Sequence, residues 1–308
     1  MLYLIVMKKL SIIFLVFTCG YGFSQDPIFL NSNQSLINLN PSFAGTNGLV
    51  RNQSVFRDQW PSLSGQYLTV NNSFDTYFKS TGSGLAISYM HDDQARGTLT
   101  TDIFNLIYAQ HINLCEGKLK IIPSLQVGYF QKTVDREKLN FGNPLLYTTV
   151  VTSQTKRNAD FSTGLLINCN HFYFGASAFH ITQPDEGLLG VSKLPLRLSI
   201  HSAYNLLIGE KTLLHFFTRY EQQQTFSFLQ LGVDAVFFKS LILGCKYFSQ
   251  DAIGLNVGYR NNYFSLQTGY DVTINKLAGN AAGSWELSAS FNLRNKNLRN
   301  TLVDFEKW

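Results

Sequence analysis

A chain of 308 residues with a formal charge of +5 at pH 7, 45% hydrophobic and only 15% charged, is long enough for one large domain but poor in charge for a soluble one. No run after residue 25 approaches the roughly 20 continuous apolar residues of a spanning helix, which argues against a helical membrane protein and leaves strands as the way across a bilayer. Loss of Lys8 and Lys9 with an export signal lowers the charge to +3, too small and dispersed for nucleic-acid binding.

Residues 1–24 read as that signal: Lys8 and Lys9, an apolar run over residues 10–17, then small residues ending at Gly22 and Ser24, with cleavage before Gln25. Met7 is a second candidate start, and Phe17 and Thr18 fit poorly the small residues that precede a lipidated cysteine at Cys19. Residues 25–48 form a polar N-terminal segment, periplasmic or lumenal, that Pro41, Gly45 and Gly48 mark as irregular. Asn40, Pro41, Phe43 and Gly45 suggest a plug folded into a lumen or a docking piece at its mouth; the plainer alternative is an entry turn into the first strand.

From residue 49 the side chains alternate in runs. About fourteen candidate strands begin near Val50, Gln66, Gly82, Thr98, Gly117, Asp160, His171, Leu194, Lys211, Phe226, Leu241, Asp251, Asn262 and Ser284. In the last of them Trp285, Leu287, Phe291 and Leu293 share one face, and Ser284, Glu286, Ser288, Ser290 and Asn292 the other. One greasy and one wet face suit either a sandwich core or a membrane barrel. Lys120, Gln126, Asp234 and Asn256 would each need a partner in a core, whereas a watery lumen accepts them. The expected fold is therefore an all-β, transmembrane, antiparallel up-and-down barrel over residues 49–293, its last strand closing against the first near Val50.

Connections alternate between tight and long, with short exceptions near Gln223 and Gln250, and an even strand count puts both chain ends in the periplasm. Tyr89, Tyr129, Tyr204, Tyr259 and Tyr270 fall near the ends of runs, as an interfacial girdle or simply as good strand formers. Arg57 and Trp60, placed in the first long loop, offer a cation and an aromatic for a partner; headgroup anchoring is the alternative for Trp60. The tail 294–308 carries Arg294, Lys296, Arg299 and Lys307 and is either solvated or in contact with a periplasmic partner.

Reactive chemistry is sparse. Cys115, Cys169 and Cys245 are an odd number after the signal, which argues for free thiols. The six histidines show no ligand spacing; His91, Asp92 and Asp93 offer a cation site in an outer loop but read better as an exposed polar turn, and Ser199 and His201 share a strand face as many such pairs do. The expectation is no enzyme, no metal and no cofactor.

Specific residues carry a resemblance. Gln25-Asp26-Pro27, the stretch 36–46 (LINLNPSFAGT), RDQW from Arg57 to Trp60, and the stretch 269–293 are similar to the PorP/SprF family of Bacteroidetes outer-membrane proteins, associated with type IX secretion and gliding motility. Within the last stretch the matching residues are Tyr270, Asp271, Lys276, Leu277, Gly283, Ser284, Glu286 and Leu287. The middle of the chain matches only in strand pattern, and the basic tail departs from the family. The resemblance implies an integral outer-membrane barrel without enzymatic activity, in contact with membrane lipids and lipopolysaccharide. It would bind, help secrete or anchor a type IX substrate, such as an adhesin C-terminal domain, together with other secretion components. The alternative is a porin or small-solute channel.

Overall fold

A computed structural model describes residues 25–63, 65–138, 153–188, 190–249, 251–275, 278, 281 and 283–293. The expected signal 1–24, loop positions 139–152, Lys276, Leu277 and the tail 294–308 lie outside the described residues.

The strands are β1 Val50–Gln59, β2 Tyr67–Phe78, β3 Ser83–Gln94, β4 Leu99–Gln110 and β5 Ile112–Leu114. They continue with β6 Leu119–Val134, β7 Gln154–Cys169, β8 Phe172–Phe179, β9 Arg197–Ile208 and β10 Thr212–Gln223. The last five are β11 Phe226–Phe237, β12 Leu241–Phe248, β13 Ala252–Arg260, β14 Phe264–Thr273 and β15 Ser284–Leu293. Neighbours in sequence pair antiparallel, β6 takes both β4 and β5, and β1 pairs with β15 from Val50↔Leu293 to Gln59↔Ser284. Because β5 continues β4 past a break at His111, the sheet is a closed barrel of 14 strands.

The two faces of each strand identify the solvent on each side. In β15, Trp285, Leu287 and Phe291 remain 51%, 41% and 48% exposed, while Ser284, Glu286, Ser288, Ser290 and Asn292 are buried. Apolar side chains outside and polar ones inside is the reverse of a soluble sandwich and suits a barrel in lipid. Leu255, 64% exposed in the middle of β13, tests this. Leu255→Arg is expected to cost about 2–4 kcal/mol if it meets the bilayer centre, read as a lower urea midpoint for the barrel in lipid vesicles. An unchanged midpoint would place that face in water.

Tight turns gather at one mouth and long connections at the other. At the tight end, positive φ at Cys115, Glu116, Asn170, Phe238 and Lys239 lets the chain reverse within a few residues. Cys115, Cys169 and Cys245 are free and exposed. Two expectations shift. β7 begins at Gln154, not near Asp160, because Thr155, Lys156 and Arg157 extend the hairpin against Thr133, Lys132 and Gln131 of β6. The five tyrosines all face outward, but Tyr89 and Tyr204 lie mid-strand rather than at strand ends.

A larger finding concerns the lumen and the course of the segment before Val50. Val50 and Leu293 do share the tight-turn mouth, as parity requires. The segment before Val50, however, runs through the barrel, so Gln25 lies at the long-loop mouth beside Trp60 and Asn275. The first and last described residues therefore sit at opposite mouths. Part of the interior is filled by protein: Leu36, Ile37, Leu39, Phe43 and Ala44 pack on inward Ala86, Ile107, Ile122, Leu166 and Tyr173.

Candidate functional site

The site is the threaded segment together with the wall that holds it. From the long-loop mouth inward, the Asp26 amide donates to Gln223 Oε1 at 3.0 Å. Its carboxylate meets His180 Nε2 at 2.8 Å and Arg197 Nη1 at 3.1 Å. The other nitrogen of His180 reaches Asp160 at 2.7 Å, and Arg197 stacks on the Phe179 ring at 4.0 Å.

Burial opposes charge on both partners, but their mutual attraction prevails. Asp26 and Asp160 raise the His180 pKa from 6.5 to about 9, while His180 and Arg197 hold the Asp26 carboxyl well below the ordinary carboxylate range. The raised histidine contributes fully below pH 6.5 and less as pH passes about 9. The depressed aspartate contributes above pH 3.8 and weakens only in strong acid. The mouth end of the segment should thus be fixed across neutral pH and loosen above about 9. A spin label at position 25 would report this as rising mobility; mobility that stays flat across this range would show that the pair does not hold the segment.

Next comes a group built from three strands. Glu286 of β15 accepts the successive amides of Leu30 and Asn31 at 2.6 and 2.8 Å, one on each oxygen. Arg57 of β1 binds Asp271 of β14 at 2.6 Å and approaches Glu286 at 3.6 Å. Leu30 itself fills a dent left by Gly254 and Gly269, where a Cβ would stand 2.3 and 2.5 Å from its methyl carbons. Below it, Gln230 donates to Leu30 O at 3.1 Å and accepts from Ser32, and Asn33 donates to Asp234.

The lower half is shaped by Asn40 and Pro41. The Asn40 side chain accepts from the Ser42 amide at 2.9 Å, capping a 3-10 turn over Pro41–Phe43. Its amide group donates to Leu165 O and Ala176 O, both at 3.1 Å. Phe43, fully buried, meets Tyr173 edge-on at 5.4 Å and stacks on His201 at 5.8 Å. Gly45 has φ +74° and lies so close to Gly84 that a Cβ would be 2.6 Å from its Cα, so only glycine fits there. The Gly45 amide donates to Asp75 at 2.7 Å, and Arg51 joins Asp75 to Phe43 O.

Above the segment, at the long-loop mouth, opens a cavity of about 570 Å³. Gln25, Asp26, Pro27 and Ile28 border it, with Trp60, Tyr67, Leu99, Phe226, Phe248, Asp92, Asp251 and Arg57 among its walls.

Among the described residues the expected site residues have these places. Asn40, Pro41, Phe43 and Gly45 lie inside the barrel. Arg57 is not in a loop: it faces inward from β1, 7% exposed, because the strand runs on to Gln59. Trp60 follows that strand, donating Nε1–H to Thr273 at 3.2 Å. Asp271, Ser284 and Glu286 face the segment and are buried, while Tyr270 and Leu287 point outward. Gly283, at φ +82°, passes so near the Tyr270 ring that a Cβ would be 2.8 Å from its hydroxyl oxygen. The sequence reading missed Arg51, Asp75, His180 and Arg197. Arg51, Asp75 and Arg197 take the inward parity of their strands and are buried, but nothing local named their partners. Among the described residues no group of three or more His, Cys, Asp or Glu could hold a metal ion.

Solved outer-membrane proteins are similar to the chain at low identity. The toluene transporter TbuX of Ralstonia pickettii matches with a TM-score of 0.50 at 10% identity, over 84% of this chain and 92% of its own. Omp33 of Acinetobacter baumannii matches with a TM-score of 0.47 at 12% identity, over 79% and 96%. No curated protein matches the chain. A family model described as "Type IX secretion system membrane protein PorP/SprF" matches residues 22–291.

Proposed function

The chain belongs to the PorP/SprF family of type IX secretion system membrane proteins, and from that premise we propose that it is a sealed outer-membrane barrel that holds a secreted partner at its long-loop mouth. The carrying observation is the occupied lumen: residues 26–46 bond to both walls from one mouth to the other. A pore for solutes would need that space, so a receptor or anchor role is favoured over a channel. On this reading Asn40, Pro41, Phe43 and Gly45 serve as the plug, and Arg57 positions the plug rather than contacting the partner. Trp60 stays at the rim, where a partner can reach it. Long loops belong outside in such barrels; on this reading the mouth cavity opens at the cell surface and Leu293 lies on the periplasmic side. No part of the reading calls for catalysis.

Affinity purification of the full chain from its native host in mild detergent should recover one large secreted protein. Recovery of only lipopolysaccharide and unrelated porins would end the proposal.

A further inference from the structure

Two asparagines break the apolar pattern of the outer wall. Along β1 the outward parity takes Val50, Asn52, Ser54 and Phe56, and along β2 it takes Val70, Asn72 and Phe74. Ser54 lies opposite Asn72 on one side and Ala289 on the other, with Tyr89 beyond Asn72. Exposed Phe56, Phe74 and Phe291 surround the group, which sets it within the apolar band of the wall. Asn71, Asn256 and Asn292, by contrast, are buried on the inner face.

The hydrogen bonds within this group leave one acceptor and one donor over. Asn52 Nδ2 donates to Ser73 O at 3.0 Å and to Asn72 Oδ1 at 3.4 Å, and Asn72 Nδ2 donates to Ser54 Oγ at 2.6 Å. Among the described residues nothing donates to Asn52 Oδ1, and Asn72 Nδ2 has used one of its two hydrogens. Acyl chains can answer neither, and a polar group left unmet in hydrocarbon is costly. A second copy of the chain answers both. It sits in the same bilayer in the same orientation, so a twofold axis along the membrane normal brings the same patch to the same depth. Asn52 Oδ1 of one copy then accepts from Asn72 Nδ2 of the other, and the exchange occurs twice because such an interface is self-complementary. The two carboxamides already touch within each wall, so their free ends lie at nearly one depth. Ala289 beside them carries a single methyl, which lets two walls approach closely.

We propose that the outer face of β1 and β2 is a self-association surface, at which two copies of the barrel pair within the membrane through Asn52 and Asn72. This goes beyond the partner reading and does not depend on it, since the patch is on the outer wall and away from the mouth.

The test counts copies of the full-length barrel in phosphatidylcholine vesicles over a range of protein densities, by stepwise photobleaching of one dye on a C-terminal tag. Wild type should bleach in two steps. Asn52→Leu with Asn72→Leu, which suits lipid, should raise the dissociation constant of the pair about tenfold or more and leave the urea midpoint of the barrel no lower, so loss of pairing is separated from loss of folding. Ser202→Leu, at an outward position of β9 on the opposite side of the barrel, should change neither. In a background carrying Cys115→Ser, Cys169→Ser and Cys245→Ser, Ser54→Cys should cross-link one copy to another under mild oxidation, and Ser202→Cys should not. A single bleaching step for wild type at every density, an undiminished pair in the double variant, or cross-linking as ready at position 202 as at 54 overturns the proposal. So does a cross-link in native outer membranes that joins position 54 to a different protein and never to a second copy.

Discussion

Deletion of residues 26–47 should turn an electrically silent barrel into a conducting one. The intact protein in planar bilayers is expected to show no steady current, because the segment touches inward side chains of β1, β2, β6, β10, β11 and β15. The deleted form keeps every strand and every inter-strand bond, so it should still insert. What it loses is the filling of a barrel of 14 strands, a size between small filled barrels and porins of 16 or more strands that enclose water. The exposed rim of buried polar groups, among them Gln53, Gln230 and Glu286, would then be wetted rather than orphaned. Silence from a correctly inserted deletion variant would show that loops or side chains alone close the lumen. Steady conductance from the intact chain would revive the channel reading.

Glu286→Ala should be the most damaging single change in the interior. It removes the acceptor for two buried amides, at Leu30 and Asn31, and leaves Arg57 with Asp271 alone. Breaking one partner out of a buried ionic group typically costs about 3–5 kcal/mol. Part of that cost should appear as release of the segment, so proteolysis near residues 28–31 and new conductance should rise together. Glu286→Gln, of equal size, retains one acceptor and should be intermediate. If the alanine variant matches wild type in stability and protease resistance, the three-strand group is not what holds the segment.

The barrel was legible because lipid and lumen impose opposite chemistry on alternate residues. β15 and β14 show this without any knowledge of neighbours: Trp285, Leu287 and Phe291 alternate with Ser284, Glu286 and Ser288. What alternation cannot say is whether the inward polar row meets water or protein. Glu286 would look the same in either case, and only the fold reveals that it caps the amides of Leu30 and Asn31. Arg57 was misplaced for a related reason. Its tryptophan and the glycine at 65 suggested a loop, yet Arg51, Gln53, Val55 and Arg57 keep one parity and are all buried. Following that parity to Gln59 would have put Arg57 inside. The family motifs, Arg57 with Asp271 and Glu286, are far apart in sequence and adjacent in space, so their joint purpose becomes visible only once β1, β14 and β15 close the ring.

That closure also constrains biogenesis. β1 and β15 are the most distant strands in the chain, and their pairing shuts the wall around residues that precede β1. Once Val50 meets Leu293 there is no side opening through which a bulky object could pass. The segment is either enclosed as the seam forms or drawn in through a mouth as a narrow run of polypeptide. A folded tag appended ahead of Gln25 should therefore stall assembly, whereas the same tag after Leu293 should be tolerated, and small epitopes at the two positions should label opposite surfaces of the membrane.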